Sequence, residues 1–152
     1  MSNFLVERAT EDTLGEIAEL ERLCFSCPWS KKSLELLCAD KNVGFVAKDI
    51  SSAEVVAYGG MISVLDEGQI TNIATHPDFR RRGLGIKILS SLIDYAKENG
   101  ILSVSLEVRQ SNFAAIELYK KLGFTEAGIR KNFYTSPKED GIVMLLDLGD
   151  LG

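Results

Sequence analysis

The stretch Thr75-His76-Pro77-Asp78-Phe79-Arg80-Arg81-Arg82-Gly83-Leu84-Gly85 decides how this chain is read. Residues 69–75 before it read as a strand, closed by the turn His76-Pro77-Asp78. Residues 83–99 after it carry Leu84, Ile88, Leu89, Leu92, Ile93 and Ala96 at helical spacing. Asn99-Gly100 then supplies a left-handed stop. A basic, glycine-containing loop thus joins a strand to a long helix. The first turn of a helix leaves backbone N–H groups without partners and carries partial positive charge. Glycine lets a ligand come close to the backbone, and the arginines add charge, a combination that binds phosphate. Arg80–Arg82 is the one run of three basic residues in a chain of net charge −5, so this patch opposes the overall sign. Two familiar phosphate motifs are not met. The third glycine of a dinucleotide fingerprint is missing from residues 83–88, and no G-x-x-x-x-G-K-S/T loop occurs.

Downstream, residues 101–109 alternate. Leu102, Val104, Leu106 and Val108 point one way, and Ser103, Ser105, Glu107 and Arg109 the other. Ser111 is expected to cap a helix over about 112–122, which Gly123 ends. Phe124 onward reads as strand or turn, and residues 141–148 as the final strand. Upstream, residues 4–8 read as a short strand. Thr10, with Glu11 and Asp12, caps a helix to about Cys24 whose apolar positions are Leu14, Ile17, Leu20 and Leu23. Pro28 stops it, and Ser30 opens a shorter helix through Leu34, Leu37 and Cys38. Residues 43–48 and 55–64 read as strands around the polar turn 49–54. Strands interspersed with helices predict a mixed α/β layered fold. With no repeat, linker or low-complexity break, residues 1–152 are expected to form a single domain.

The 152 residues are 45% apolar and 26% charged, with 13 Gly and 3 Pro, which excludes collagen-like and disordered classes. A chain of this length buries roughly 68–70% of its unfolded surface without disulfides or metal. The longest mostly apolar stretch, 55–64, is interrupted by Gly59, Gly60 and Ser63 and falls short of the ~18–20 residues of a membrane span. The acidic start has neither the basic nor the apolar part of a secretory signal, so a cytoplasmic location is expected. Net negative charge argues against a general nucleic-acid or anionic-membrane binder. Cys24, Cys27 and Cys38 are too few and odd in number for a disulfide framework. Cys24 and Cys27 spell C-x-x-C, but Cys38 and His76 are the only other candidate ligands, so no metal is expected and the thiols read as plain buried or half-buried side chains in a reducing compartment.

Glu107 falls near the end of a strand on its polar face, and Tyr119 two turns into the next helix. A carboxylate and a phenol so placed can flank one cleft and offer a base and an acid. Taken singly, each also fits a plainer place, the glutamate in water and the tyrosine in the core.

These features, in this order, resemble the GCN5-related N-acetyltransferase (GNAT) superfamily, whose pyrophosphate loop Arg80-x-x-Gly83-x-Gly85 matches. Further motifs, Cys27-Pro28-Trp29-Ser30, Asn72-Ile73-Ala74, Leu106-Glu107-Val108-Arg109, Ser111-Asn112, Leu118-Tyr119 and Arg130-Lys131-Asn132-Phe133-Tyr134, are similar to the RimI family. Those enzymes acetylate the N-terminal alanine of a small-subunit ribosomal protein, the eighteenth. The resemblance spans residues 4–147. It implies a mixed sheet of six to seven strands with splayed central strands, about four helices, and acetyl-CoA in the gap as cosubstrate. On that basis Ile73, Ala74 and Thr75 offer backbone groups to the pantetheine arm. Arg81, Arg82, Gly83, Leu84, Gly85 and Ile86 wrap the pyrophosphate, and Asn112 hydrogen-bonds the cofactor. Glu107 is the implied general base and Tyr119 the general acid. Two positions depart from the family pattern: Thr75 stands for the usual valine, and Phe133 for the first tyrosine of N-Y-Y. The implied partner is the N-terminal segment of a ribosomal protein. The alternatives are acetylation of lysines or small amines such as polyamines, drawn by Asp66, Glu67, Glu139 and Asp140, or a non-catalytic acyl-CoA-binding module.

Overall fold

The computed structural model describes residues 3–149. Seven strands form one sheet in the order β1-β2-β3-β4-β5-β7-β6. In chain order they are β1 (Phe4–Arg8), β2 (Val43–Asp49), β3 (Val55–Val64), β4 (Glu67–Thr75), β5 (Ser103–Arg109), β6 (Thr125–Thr135) and β7 (Lys138–Asp147). Four helices accompany them: α1 (Leu14–Cys24), α2 (Lys31–Leu34), α3 (Leu84–Glu98) and α4 (Phe113–Lys121). Every neighbouring pair is antiparallel except β4 and β5. That parallel pair holds together only from Glu67↔Ser103 to Gln69↔Ser105. Beyond it β4 stays with β3 and β5 stays with β7, so the centre of the sheet splays into a V.

Two apolar layers hold the sheet. On one face, Ile88 and Leu92 of α3 bury against Ala57, Val104 and Met144. On the other, Leu14, Ile17, Leu34 and Leu37 bury against Val46, Tyr58 and Ala74. Gly59 and Gly60 of β3 permit both approaches. A Cβ on Gly59 would lie 2.5 Å from the Ile88 side chain, and one on Gly60 would lie 2.8 Å from Leu37. Opposite them β4 carries a one-residue bulge between Ile70 and Ile73, which bends the strand towards the opening of the V.

Several expectations shift. Leu23 is 57% exposed, because a strict three-residue repeat drifts around a helix of 3.6 residues per turn. Ala18 and the carboxylate of Glu21 fill the inner face instead. The second helix tightens after Leu34 into a 3₁₀ turn, Glu35–Cys38, which leaves Cys38 exposed. Leu102 is 47% exposed, since β5 starts two residues later, at Ser103, and the alternation holds only for Val104, Leu106 and Val108. The cap of α4 is Asn112 rather than Ser111, its Oδ1 accepting from Ala115 N–H at 3.2 Å. The last strand starts at Lys138, and residues 125–135 form a complete edge strand. Among the described residues no helix is long and apolar enough to cross a membrane.

Candidate active site

The V between β4 and β5 is a cleft of about 810 Å³. Ile73, Glu107, Asn112 and Tyr119 all line it. Glu107 reaches it because β5 alternates, turning Val108 and Leu106 to the core and Glu107 to the polar face. Its carboxylate accepts from Arg130 Nη1 at 2.9 Å and, at 3.4 Å, from Gln69 Nε2. The ring of Tyr119 packs 5.8 Å from that of Phe124, and burial raises its pKa above the ordinary tyrosine value. The phenol therefore keeps its proton and stays a donor at neutral pH.

Arg81 and Gly83 have left-handed φ of 65° and 76°. Lys87 N–H makes the first intrahelical bond, to Gly83 O, and no side chain caps α3. Leu84, Gly85 and Ile86 thus turn their N–H groups out at an uncapped, positive helix end. A Cβ on Gly83 or Gly85 would meet no protein atom within 4 Å. The cradle is open on the side that an anion would occupy, and the residues present fit a pyrophosphate. The Leu84 side chain is buried in the core, so its contribution is backbone only. Arg80 is committed elsewhere: Nε donates to Thr75 O at 3.1 Å and Nη2 lies 3.7 Å from Cys24 Sγ. It pins the loop to the end of β4. Arg81–Ile86 lie outside the cleft itself, beyond this end.

His76 N–H bonds Val56 O on β3. Alternation therefore turns Ala74 to β3 and Ile73 and Thr75 to the opening of the V. Of the three residues expected to offer backbone groups there, Ala74 does not, and its methyl packs under α1. The Thr75 carbonyl already accepts from Arg80 and from Cys24 Sγ. Asn112 lines the cleft and uses Oδ1, not its amide nitrogen, as the α4 cap.

Glu21, Arg109 and Tyr134, to which the sequence assigned no role in the site, also shape it. Glu21 is fully buried on α1. It accepts from Trp29 N–H at 2.7 Å, from Asn72 Nδ2 at 2.9 Å and from the Tyr58 hydroxyl. It fixes the loop 25–29 and β4 to the same helix, while burial and this carboxylate push the Tyr58 pKa upward. Arg109 lies over the Tyr134 ring and donates to Pro137 O at 2.9 Å and Glu139 Oε1 at 3.3 Å. Tyr134 is pushed up to about 12, first by burial and then by Glu107. Glu139 also accepts from Ser111 N–H at 2.6 Å. Hydrogen bonds from Ser111, aided by Arg109, hold its carboxyl below the usual range. Glu139 is therefore a strut inside the hairpin rather than a free attractor for a basic substrate. Asp140 likewise accepts from Asn132 N–H at 2.8 Å. Above the cleft, Ser26 Oγ donates to Ser136 O at 2.8 Å, joining the 25–29 loop to the β6–β7 hairpin. Among the described residues no group of His, Cys, Asp and Glu converges as a metal site.

The acetyltransferase (GNAT) family model matches residues 14–124. The ribosomal protein bS18-alanine N-acetyltransferase of Escherichia coli K12 is 39% identical over 131 residues, 85% of this chain and 87% of that one. A putative ribosomal protein bS18-alanine N-acetyltransferase of Bacillus subtilis is 34% identical over 139 residues, covering 91% and 92%. The crystal structure of the ribosomal-protein-S18-alanine N-acetyltransferase from Escherichia coli superposes with a TM-score of 0.88 at 35% identity, covering 98% of this chain and 96% of that one. Sequence match, splayed sheet and uncapped anion loop agree, and the chain belongs to the acetyltransferase (GNAT) family.

Proposed function

We propose that the protein transfers acetyl from acetyl-CoA to the α-amine of the N-terminal alanine of ribosomal protein bS18, in the cytoplasm, as one domain. The observation that carries this is the cleft between splayed strands that Glu107 and Tyr119 both line, joined to the activity named for its 39% identical relative.

Acetyl-CoA supplies an activated acetyl thioester. Arg81, Arg82 and the N–H groups of Gly83, Leu84, Gly85 and Ile86 hold its pyrophosphate, Ile73 and Thr75 offer their strand edge, and Asn112 donates from α4. Glu107 takes the proton that the attacking amine loses, and Tyr119 gives one to the departing thiolate sulfur. The two then exchange their surplus proton through water, which restores both. An α-amine has a pKa near 7.7–8.0 against ~10.4 for lysine, so a carboxylate suffices for the first and serves the second poorly.

The test is acetyl transfer to a panel of amines, read by product mass. It includes a bS18 N-terminal peptide, the same peptide N-terminally blocked with an internal lysine, and spermidine. The first should be acetylated at its α-amine and the others far more slowly. Equal transfer to the blocked peptide or to spermidine overturns the substrate, and no transfer to any amine favours a binding module.

A further inference from the structure

Glu107 has one ion-pair partner among the described residues, Arg130 Nη1, at 2.9 Å. The two ends of this pair differ. The Glu107 side chain is 14% exposed and that of Arg130 is 53% exposed. The carboxylate belongs to the cleft, while its cation reaches in from the edge strand β6. The other groups around Glu107 cannot replace it. Gln69 on β4 is neutral and distant. Arg109 on β5 is committed to Glu139, Pro137 O and Ser136 O. Tyr134 on β6 and Tyr119 on α4 remain protonated.

A guanidinium keeps its charge at every working pH and cannot accept a proton from an amine. While Arg130 sits on Oε1 it occupies an oxygen that the substrate amine needs. A carboxylate in a sheltered cleft is costly without a counterion, so Arg130 has to leave as another cation arrives. Its setting allows that. The β6–β7 register breaks between Arg130 and Tyr134, where Asn132 has φ of 55°. The other contact of Arg130 is a stack 4.7 Å over the Phe133 ring, and the side chain is already half in water.

We propose that Arg130 is a displaceable counterion, which holds the Glu107 carboxylate in the free enzyme and yields it to the ammonium of the incoming protein N-terminus. Charge at the carboxylate is conserved through the exchange. A neutral N-terminus cannot take the place of Arg130, so the exchange selects a free, cationic amine. This rests on Glu107 as the group that receives the amine.

The experiment is calorimetric titration of the CoA-bound protein with two bS18 N-terminal peptides, one with a free and one with an acetylated α-amine. Arg130→Gln should tighten the free-amine peptide roughly two- to five-fold, the strength of a half-exposed ion pair, and leave the acetylated peptide unchanged. Arg130→Lys should behave as wild type. In a Glu107→Gln background, Arg130→Gln should have no effect. Weaker or unchanged binding of the free-amine peptide to Arg130→Gln, or an equal shift for both peptides, overturns the exchange. Turnover of Glu107→Gln tests the base separately. Full turnover there, alongside the expected Arg130→Gln effect, overturns the base and leaves the exchange standing.

Discussion

The guanidinium of Arg109 lies over the ring of Tyr134, its carbon 4.4 Å from the ring centre. The same side chain ties residues 136 and 137 and Glu139, so one arginine at the end of β5 positions a cleft-lining phenol and the hairpin that carries it.

Arg109→Gln should therefore act on the peptide and not on the cofactor. Removing a cation–π contact of ~0.5–1 kcal/mol together with hairpin bonds should raise the peptide KM by roughly three- to ten-fold. The KM for acetyl-CoA should stay within about two-fold, because residues 81–86, proposed to hold the pyrophosphate, do not line the cleft that the hairpin borders. Acid should loosen the same strut. The lowered pKa of Glu139 means that its contribution is complete above its ordinary value of 4.5 and is lost as the pH falls through its folded value. Peptide KM measured from pH 7 down should begin to rise only below about 4.5, as the pH falls towards that folded value.

Glu107→Gln and Tyr119→Phe each keep shape and remove one proton site. Each should lower kcat by ~10²–10⁴, with acetyl-CoA affinity little changed. Higher pH should partly rescue Glu107→Gln, because more of the amine is then already neutral, and should not rescue Tyr119→Phe. Near-full turnover in both variants would remove these two residues from the acid and base roles.

Alkaline pH should be tolerated. Tyr119 and Tyr134 hold their protons more tightly than free tyrosine, so their donor role and the stability tied to it persist below ~10 and are lost as the pH rises through their folded values. At saturating peptide, kcat should stay level to about pH 10. A falling limb well below pH 10, matched by tyrosinate absorbance, contradicts this.

Gly85→Val separates ligand approach from backbone strain. The added side chain meets no protein atom at its Cβ, and Gly85 lacks the left-handed φ of Gly83. The protein should fold normally, by circular dichroism, with a clearly raised KM for acetyl-CoA. An unchanged KM places the pyrophosphate elsewhere.

Two core substitutions should unfold the protein more readily without sharing a cause. Leu106→Ala, at a site 3% exposed, should cost ~2–5 kcal/mol through a cavity. Glu21→Ala should cost a similar ~2–5 kcal/mol, since it strands the buried donors of Trp29, Asn72 and Tyr58. Denaturant melts with unchanged m-values check both.

The loop at residues 75–85 and the alternation of β5 were legible because each depends on local rules, helix ends and strand pleat. The placing of Glu107 and Tyr119 along one cleft followed from those elements. Glu21 was not legible: on a helix that opens with acidic residues it looks like one more solvated charge, and only Trp29, Asn72 and Tyr58, brought from three other segments, make it a hub. Ala74 was misplaced because which backbone edge a residue presents depends on the hydrogen-bond phase set by His76 and Val56. The counterion of Glu107 comes from 23 residues downstream, a pairing that only the β5-β7-β6 order creates.

Strand β6 is the outer edge of the sheet, and all but one of its eleven residues are exposed. It nonetheless carries Phe133 and Tyr134, which line the cleft, and Arg130, which pairs with Glu107. Mutations there meet little penalty in folding, whereas those in α3 or β5 meet a large one. Selection can thus redraw which protein terminus is accepted by drift along one strand while the acetyl-transfer chemistry stays fixed behind it. Divergence in substrate between descendants of this chain should accumulate at positions 129–135 first.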